Sequence, residues 1–183
     1  MKQGGGNRVL KTGSKEYTAR ELEVIKMQES RKYSSVEFSN KGGGYVAVEK
    51  SAKKKTKDEI KAAKLLSNKG YKVILKDEAG ELTTHDGYIF KFTYDQNTPE
   101  KKTKEGGKLT ENQKVRRVAK FLEHAKKKDA DISLIYMKHK AYNKQNIIDG
   151  IKRYEKHNKY YRLKKIIILT KNGRIHVHKH NDT

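Results

Sequence analysis

The sequence predicts an α/β domain, with a mixed central sheet flanked by helices. Three observations carry that prediction. Segments of strand character alternate with segments of helical periodicity from Tyr45 to the C-terminus. Two segments, 132–137 (ISLIYM) and 166–169 (IIIL), are largely apolar, the pattern of strands covered on both faces. Three Thr-x-x-Glu/Gln sequences, at Thr18/Glu21, Thr56/Glu59 and Thr110/Gln113, match capping boxes at helix starts. A chain of 183 residues suits one domain with an N-terminal extension. The expected division is 1–41 for the extension, carrying one helix, and 42–183 for the α/β domain.

In order, residues 1–15 are rich in Gly and Lys and are expected to be disordered. A helix is predicted over 18–32, with a weak apolar stripe of Leu22, Ile25 and Met27. Residues 33–41 read as polar and irregular, and Gly42-Gly43-Gly44 as a flexible break. Tyr45–Glu49 is a short strand. The next helix begins at the Thr56 box, buries Ile60, Ala63 and Leu66, and stops at Gly70. Tyr71–Leu75 is a strand, with a turn over 76–80. The segment 88–94 (YIFKFTY) alternates with period two and reads as one strand, with Lys91 facing away from Phe90 and Phe92. Residues 98–108 form an exposed basic loop opened by Pro99.

After the Thr110 box, Val115, Val118, Phe121, Leu122 and Ala125 mark an amphipathic helix. A second helix follows the strand at 132–137, with Ile147, Ile148, Ile151 and Tyr154 inward. Lys171-Asn172-Gly173-Arg174 is a hairpin turn between the last two strands.

Charge narrows the function. The chain has 44 Lys+Arg against 22 Asp+Glu, a net charge of +22, which favours polyanionic partners, nucleic acid first. No segment approaches the roughly 18 apolar residues that a membrane-spanning helix needs. The basic start has no apolar run behind it, so it does not read as a secretory signal. There is no cysteine, which excludes disulfides and thiolate metal sites. No Gly-x-Ser-x-Gly or similar nucleophile motif supports covalent hydrolase chemistry.

The candidate chemistry lies in three carboxylates. Glu59 is on a helix, Asp86 opens the run Thr84-His85-Asp86-Gly87, and Asp95 begins Asp95-Gln96-Asn97-Thr98-Pro99. This order of helix Glu, Gly-Tyr strand, His-Asp-Gly and Asp-Gln-Asn resembles PD-(D/E)xK nucleases. More narrowly, it is similar to C-terminal toxin domains of contact-dependent growth inhibition proteins and to phage minor-head proteins. The later segments ADISLIY, NIIDGIKRY and KKIIILTKNGRIH resemble the closing half of those domains, so the resemblance covers roughly 42–180.

The resemblance implies a phosphodiester hydrolase whose Glu59, Asp86 and Asp95 hold Mg²⁺ or Mn²⁺. The family's lysine position holds Asn97, and Lys91 is one candidate substitute. Arg116 and Arg117, with Lys101 and Lys102 in the basic loop, are expected to contact nucleic acid, either DNA or tRNA. A toxin of this kind acts in the cytoplasm, arrives as part of a larger secreted or phage protein, and meets an acidic immunity protein. The alternative is a catalytically degenerate nucleic-acid-binding domain on the same scaffold; a basic phage-head protein is a third reading.

Each residue also has a plainer role. Glu59 is at the favoured third position of a capping box, Asp86 suits a turn, and Asp95 can simply end a strand. His124 is either a general base or an ordinary helix-surface residue. His176 and His178 have i, i+2 spacing, with His180 next, but no placed partner ligand.

Overall fold

Each helix begins where a side chain replaces the missing backbone acceptor. The computed structural model describes residues 4–5, 7–52, 55–76, 85–158 and 163–179. Helix α1 (Lys15–Glu29) is capped by Ser14, whose side chain accepts from the Tyr17 N–H. It therefore starts three residues before the predicted Thr18. Helices α2 (Lys57–Ser67) and α3 (Glu111–Lys127) begin with the capping boxes read from Thr56/Glu59 and Thr110/Gln113. A further box, Asn143 with Asn146, starts α4 (Lys144–His157).

The strands are β1 (Gly4–Gly5), β2 (Tyr33–Phe38), β3 (Tyr45–Glu49), β4 (Lys72–Leu75), β5 (Gly87–Ile89), β6 (Phe92–Asn97), β7 (Ile132–Met137), β8 (Lys165–Thr170) and β9 (Ile175–Lys179). They form one mixed sheet in the order β1-β9-β8-β7-β6-β5-β4-β3-β2. The pairs β3–β4, β6–β7 and β7–β8 are parallel, and the others antiparallel. The apolar strands β7 and β8 are neighbours well inside this sheet, as their composition requires.

Helix α2 covers one face, where Ala62, Ala63 and Leu66 pack on Val46, Val73, Tyr94, Leu134 and Ile167. On the other face α3 and α4 bury Val118, Leu122, Ile151 and Tyr154 against Ile135, Ile166 and Ile168. Further along that face Val24 of α1 packs with Tyr45 and Ala47.

Four expectations are corrected. Residues 33–38 are not irregular: they form β2, antiparallel to β3, with a burial pattern too exposed to stand out in sequence. The triple glycine is not a flexible break. It is buried, and a Cβ on Gly44 would lie 2.4 Å from the carbonyl oxygens of both Ser67 and Tyr71. Residues 88–94 are not one strand. They are the hairpin β5–β6, with Phe90 at a positive φ of 54° where the chain turns. The described part of 1–15 is tied down: Arg8 N–H donates to Lys69 O, Leu10 N–H to Gly42 O, and Gly4–Gly5 pairs with β9. The turn predicted over 76–80 lies, beyond Lys76, outside the described residues.

Candidate active site

The geometry follows from the β5–β6 hairpin and the end of α3. The Asp86 N–H donates to Tyr94 O, which brings the Asp86 side chain beside Asp95, the next residue of β6. Both carboxylates are buried, Asp86 at 4% and Asp95 at 0% exposure. Two buried like charges at close range need compensation. Helix α3 supplies it. Its last turn closes with Lys128 N–H on His124 O and Ala130 N–H on Ala125 O, with Asp129 left-handed at φ 49°. This ending holds Lys128 with its ammonium 3.1 Å from Asp86 Oδ1 and 2.9 Å from Asp95 Oδ1.

The remaining oxygens are also engaged. Asp86 Oδ2 accepts from the Gln96 N–H at 2.6 Å. Asp95 Oδ2 accepts from Asn97 Nδ2 at 2.6 Å and faces His124 Nδ1 at 3.0 Å. About half of the His124 side chain remains exposed, so one nitrogen is oriented by a buried carboxylate while the ring meets solvent. Asp95 Oδ1 makes the ion pair with Lys128, but no well-aligned hydrogen bond reaches it.

Glu59 approaches from α2, on the opposite face of the sheet from α3. Its Oε2 accepts from the Thr56 N–H at 2.7 Å and its Oε1 lies 3.3 Å from Lys55 Nζ. The plain capping role is therefore realised at Glu59. Tyr94 links it to the aspartates: burial pushes the Tyr94 phenol well above its ordinary range, and Asp86, Glu59 and Asp95 add to that.

The other sequence candidates are placed as follows. Asn97 lies beside Asp95 and is its hydrogen-bond donor. Lys91 is at the exposed tip of the β5–β6 hairpin, four residues along from Asp95, with its ammonium over the Phe92 ring at 5.6 Å. The structure does not bring it to the aspartates. Arg117 shares a face of α3 with His124, seven residues on, and pairs with Glu100 at 3.0 Å. Arg116 is exposed on another side of the helix. Lys101 and Lys102 are exposed in the loop after β6, and Lys102 bridges to Lys108. His180 lies outside the described residues.

Sequence reasoning missed Lys128. It sits in the run Lys126-Lys127-Lys128-Asp129, where nothing in composition separates one lysine from the next. The available signal was its spacing, four residues after His124 on the same helix face.

Among the described residues no group of three or more His, Cys, Asp or Glu side chains is placed to hold a metal ion. The pair Asp86 and Asp95 nonetheless suits a hard cation. Its donors are all oxygen, Asp95 Oδ1 is buried without an aligned donor, and Mg²⁺ binds through one or two carboxylates when water and phosphate complete its shell. No helix among the described residues is long and apolar enough to cross a membrane.

No protein-family model matches the chain, and no curated protein does. Among solved structures it is similar to a CdiA-CT/CdiI toxin and immunity complex from Burkholderia pseudomallei. The identity is 20% and the TM-score 0.47, over 67% of this chain and 82% of that one. At that level the likeness carries no argument about activity.

Proposed function

We propose that the chain is a nuclease that hydrolyses phosphodiester bonds in DNA or RNA, with Lys128 serving where the resemblance called for a lysine at Asn97. One observation supports this most: two buried aspartates converge on a single buried ammonium at the end of a basic helix. The net charge of +22 favours a nucleic-acid partner. Asp86 and Asp95 would hold Mg²⁺ or Mn²⁺, and the bound ion supplies charge stabilisation at the scissile phosphate.

The protein's own groups then have distinct roles. Lys128 reaches the developing negative charge from α3 once the aspartates are engaged elsewhere. Asp95 orients His124, which can take a proton from an attacking hydroxyl. Asn97 fixes the rotamer of Asp95. Arg117, Arg116, Lys101 and Lys102 steady the backbone of the substrate. Delivery as a toxin domain of a larger secreted or phage protein, with action in the cytoplasm and an acidic immunity partner, is part of the same proposal and rests on the sequence resemblance.

The His124–Asp95 pair favours one second reading, acid–base cleavage of RNA by the 2′-hydroxyl. The test is incubation of the pure protein with plasmid DNA and total tRNA in Mg²⁺, Mn²⁺ or EDTA. Metal-dependent cleavage that Asp95→Asn and Lys128→Met abolish supports the main reading. Cleavage of RNA alone, unaffected by EDTA and lost in His124→Ala, supports the second. Salt-sensitive binding without cleavage in any arm would leave the degenerate binding domain.

A further inference from the structure

A second concave site lies outside the aspartate cluster. It is a cleft of about 550 Å³ between α4, the β7–α4 loop and the β8–β9 hairpin. That volume is within the range of small-ligand sites. Its floor is aliphatic, with Met137, Ile147, Ile148, Ile151 and Ile168. Its rim is cationic, with Lys138, Lys140, Lys144, Lys171 and Arg174. Among the described residues no Asp or Glu lines it. Two acids stand behind the rim: Asp58 pairs with Lys138 at 2.8 Å, and Glu155 lies 3.5 Å from His178.

The position of the cleft connects it with the aspartates. Strands β6, β7 and β8 are parallel, so Asn97, Met137 and Thr170 all end at the same edge of the sheet. Adjacent strands are about 4.8 Å apart, which puts the cleft about 10 Å across the sheet from the end of β6. Tyr142 lies between the two sites. It lines the cleft, and burial raises its phenol while the nearby Arg117 guanidinium opposes that shift. Arg117 in turn lies on the α3 face that carries His124.

We infer that this cleft receives one unstacked base of a single-stranded nucleic acid, with neighbouring phosphates on Lys140, Lys144, Lys171 and Arg174. The occupant must combine a flat apolar body with repeated negative charge. A base with its flanking phosphates has both. A base inside a duplex is stacked and cannot enter a concave pocket, so the site selects single strands or loops. The inference rests on the nuclease reading for its substrate class.

The experiment is fluorescence anisotropy at 150 mM salt in EDTA, with a labelled 12-nucleotide single strand as RNA or DNA and the matching duplex. The variants are Ile148→Glu and the pair Lys144→Glu with Lys171→Glu. A control pair, Lys15→Glu with Lys26→Glu, changes the charge equally on exposed positions of α1. Circular dichroism checks folding. The parent is expected to prefer the single strand by roughly tenfold, and each cleft variant to lose about that much while the control loses little.

Equal affinity for duplex and single strand would overturn the inference, as would cleft variants that bind like the control. Poly-glutamate that displaces the single strand from the parent at matched charge would overturn it too, in favour of an acidic protein. Cleavage in Mg²⁺ is scored separately. A parent that cuts nothing while the cleft variants lose affinity sinks the nuclease reading and leaves the cleft. A parent that cuts, with cleft variants that bind and cut normally, does the reverse.

Discussion

Replacing Lys128 by Met removes a cation that both aspartates share, with little change in side-chain length. The side chains of Lys128, Asp86 and Asp95 are 8%, 6% and 0% exposed, so solvent cannot take over. Breaking a buried pair by deleting one partner typically costs about 3–5 kcal/mol. In a domain of this size each kcal/mol moves Tm by roughly 2–4 °C. The expected fall is therefore roughly 6–20 °C in a thermal melt followed by circular dichroism in EDTA. Two controls give the result its meaning. Adding Asp86→Asn and Asp95→Asn to Lys128→Met should recover most of the loss, because the uncompensated charges are gone. Adding Mg²⁺ should raise Tm more in Lys128→Met than in the parent, since a divalent ion can replace the ammonium. A Lys128→Met protein that melts within about 2 °C of the parent, where ordinary surface substitutions fall, would refute the reasoning.

Three further outcomes follow. Asn97→Lys should not raise cleavage, because Lys128 already provides the ammonium; a gain of tenfold or more in a gel assay would restore the motif position as the catalytic one. Gly44→Ala should destabilise by about 1–3 kcal/mol or more, since the new Cβ meets two backbone carbonyls that cannot rotate away, and a denaturant midpoint checks it. Asp131 is held below its ordinary carboxylate range: burial opposes this, but the Lys164 ammonium and the Thr93 N–H and hydroxyl outweigh it. A depressed folded pKa stabilises above the unfolded value of 3.8 and is lost as pH falls through the folded one. The Tm advantage of the parent over Asp131→Asn should thus be complete near pH 5–6 and shrink below about pH 4; among the described residues, Lys164 and His85 face Asp131.

What was legible in sequence follows the strength of the local signal. The boxes at Thr56 and Thr110 have a mechanism confined to four residues, and both helices start there. Strands β7 and β8 announce burial by unbroken apolar runs. Asp86 and Asp95 were readable from the order of motifs around them, although only Asp86 stands at a strand boundary and Asp95 lies inside β6. The β5–β6 turn was not legible, because Phe90 and Lys91 have no turn chemistry; tertiary packing imposes the positive φ on a phenylalanine. Strand β2 hid because only Val36 within it is fully buried. Gly42–Gly44 looked like slack for the same reason that it is indispensable: absent side chains permit flexibility and also permit contact. Lys128 is defined by a distance across the fold, which no run of lysines encodes.

The shared ammonium has a kinetic consequence. The β5–β6 hairpin is local in sequence and would ordinarily zip early. Its Asp86 and Asp95 repel one another until α3 has formed and docked, so closing that end of the hairpin early is opposed. The site end of the hairpin is thus expected to close late, outside the folding nucleus. Substitutions of these three residues should then speed unfolding while leaving the folding rate nearly untouched. A domain built this way completes its chemistry last, after the framework that holds it.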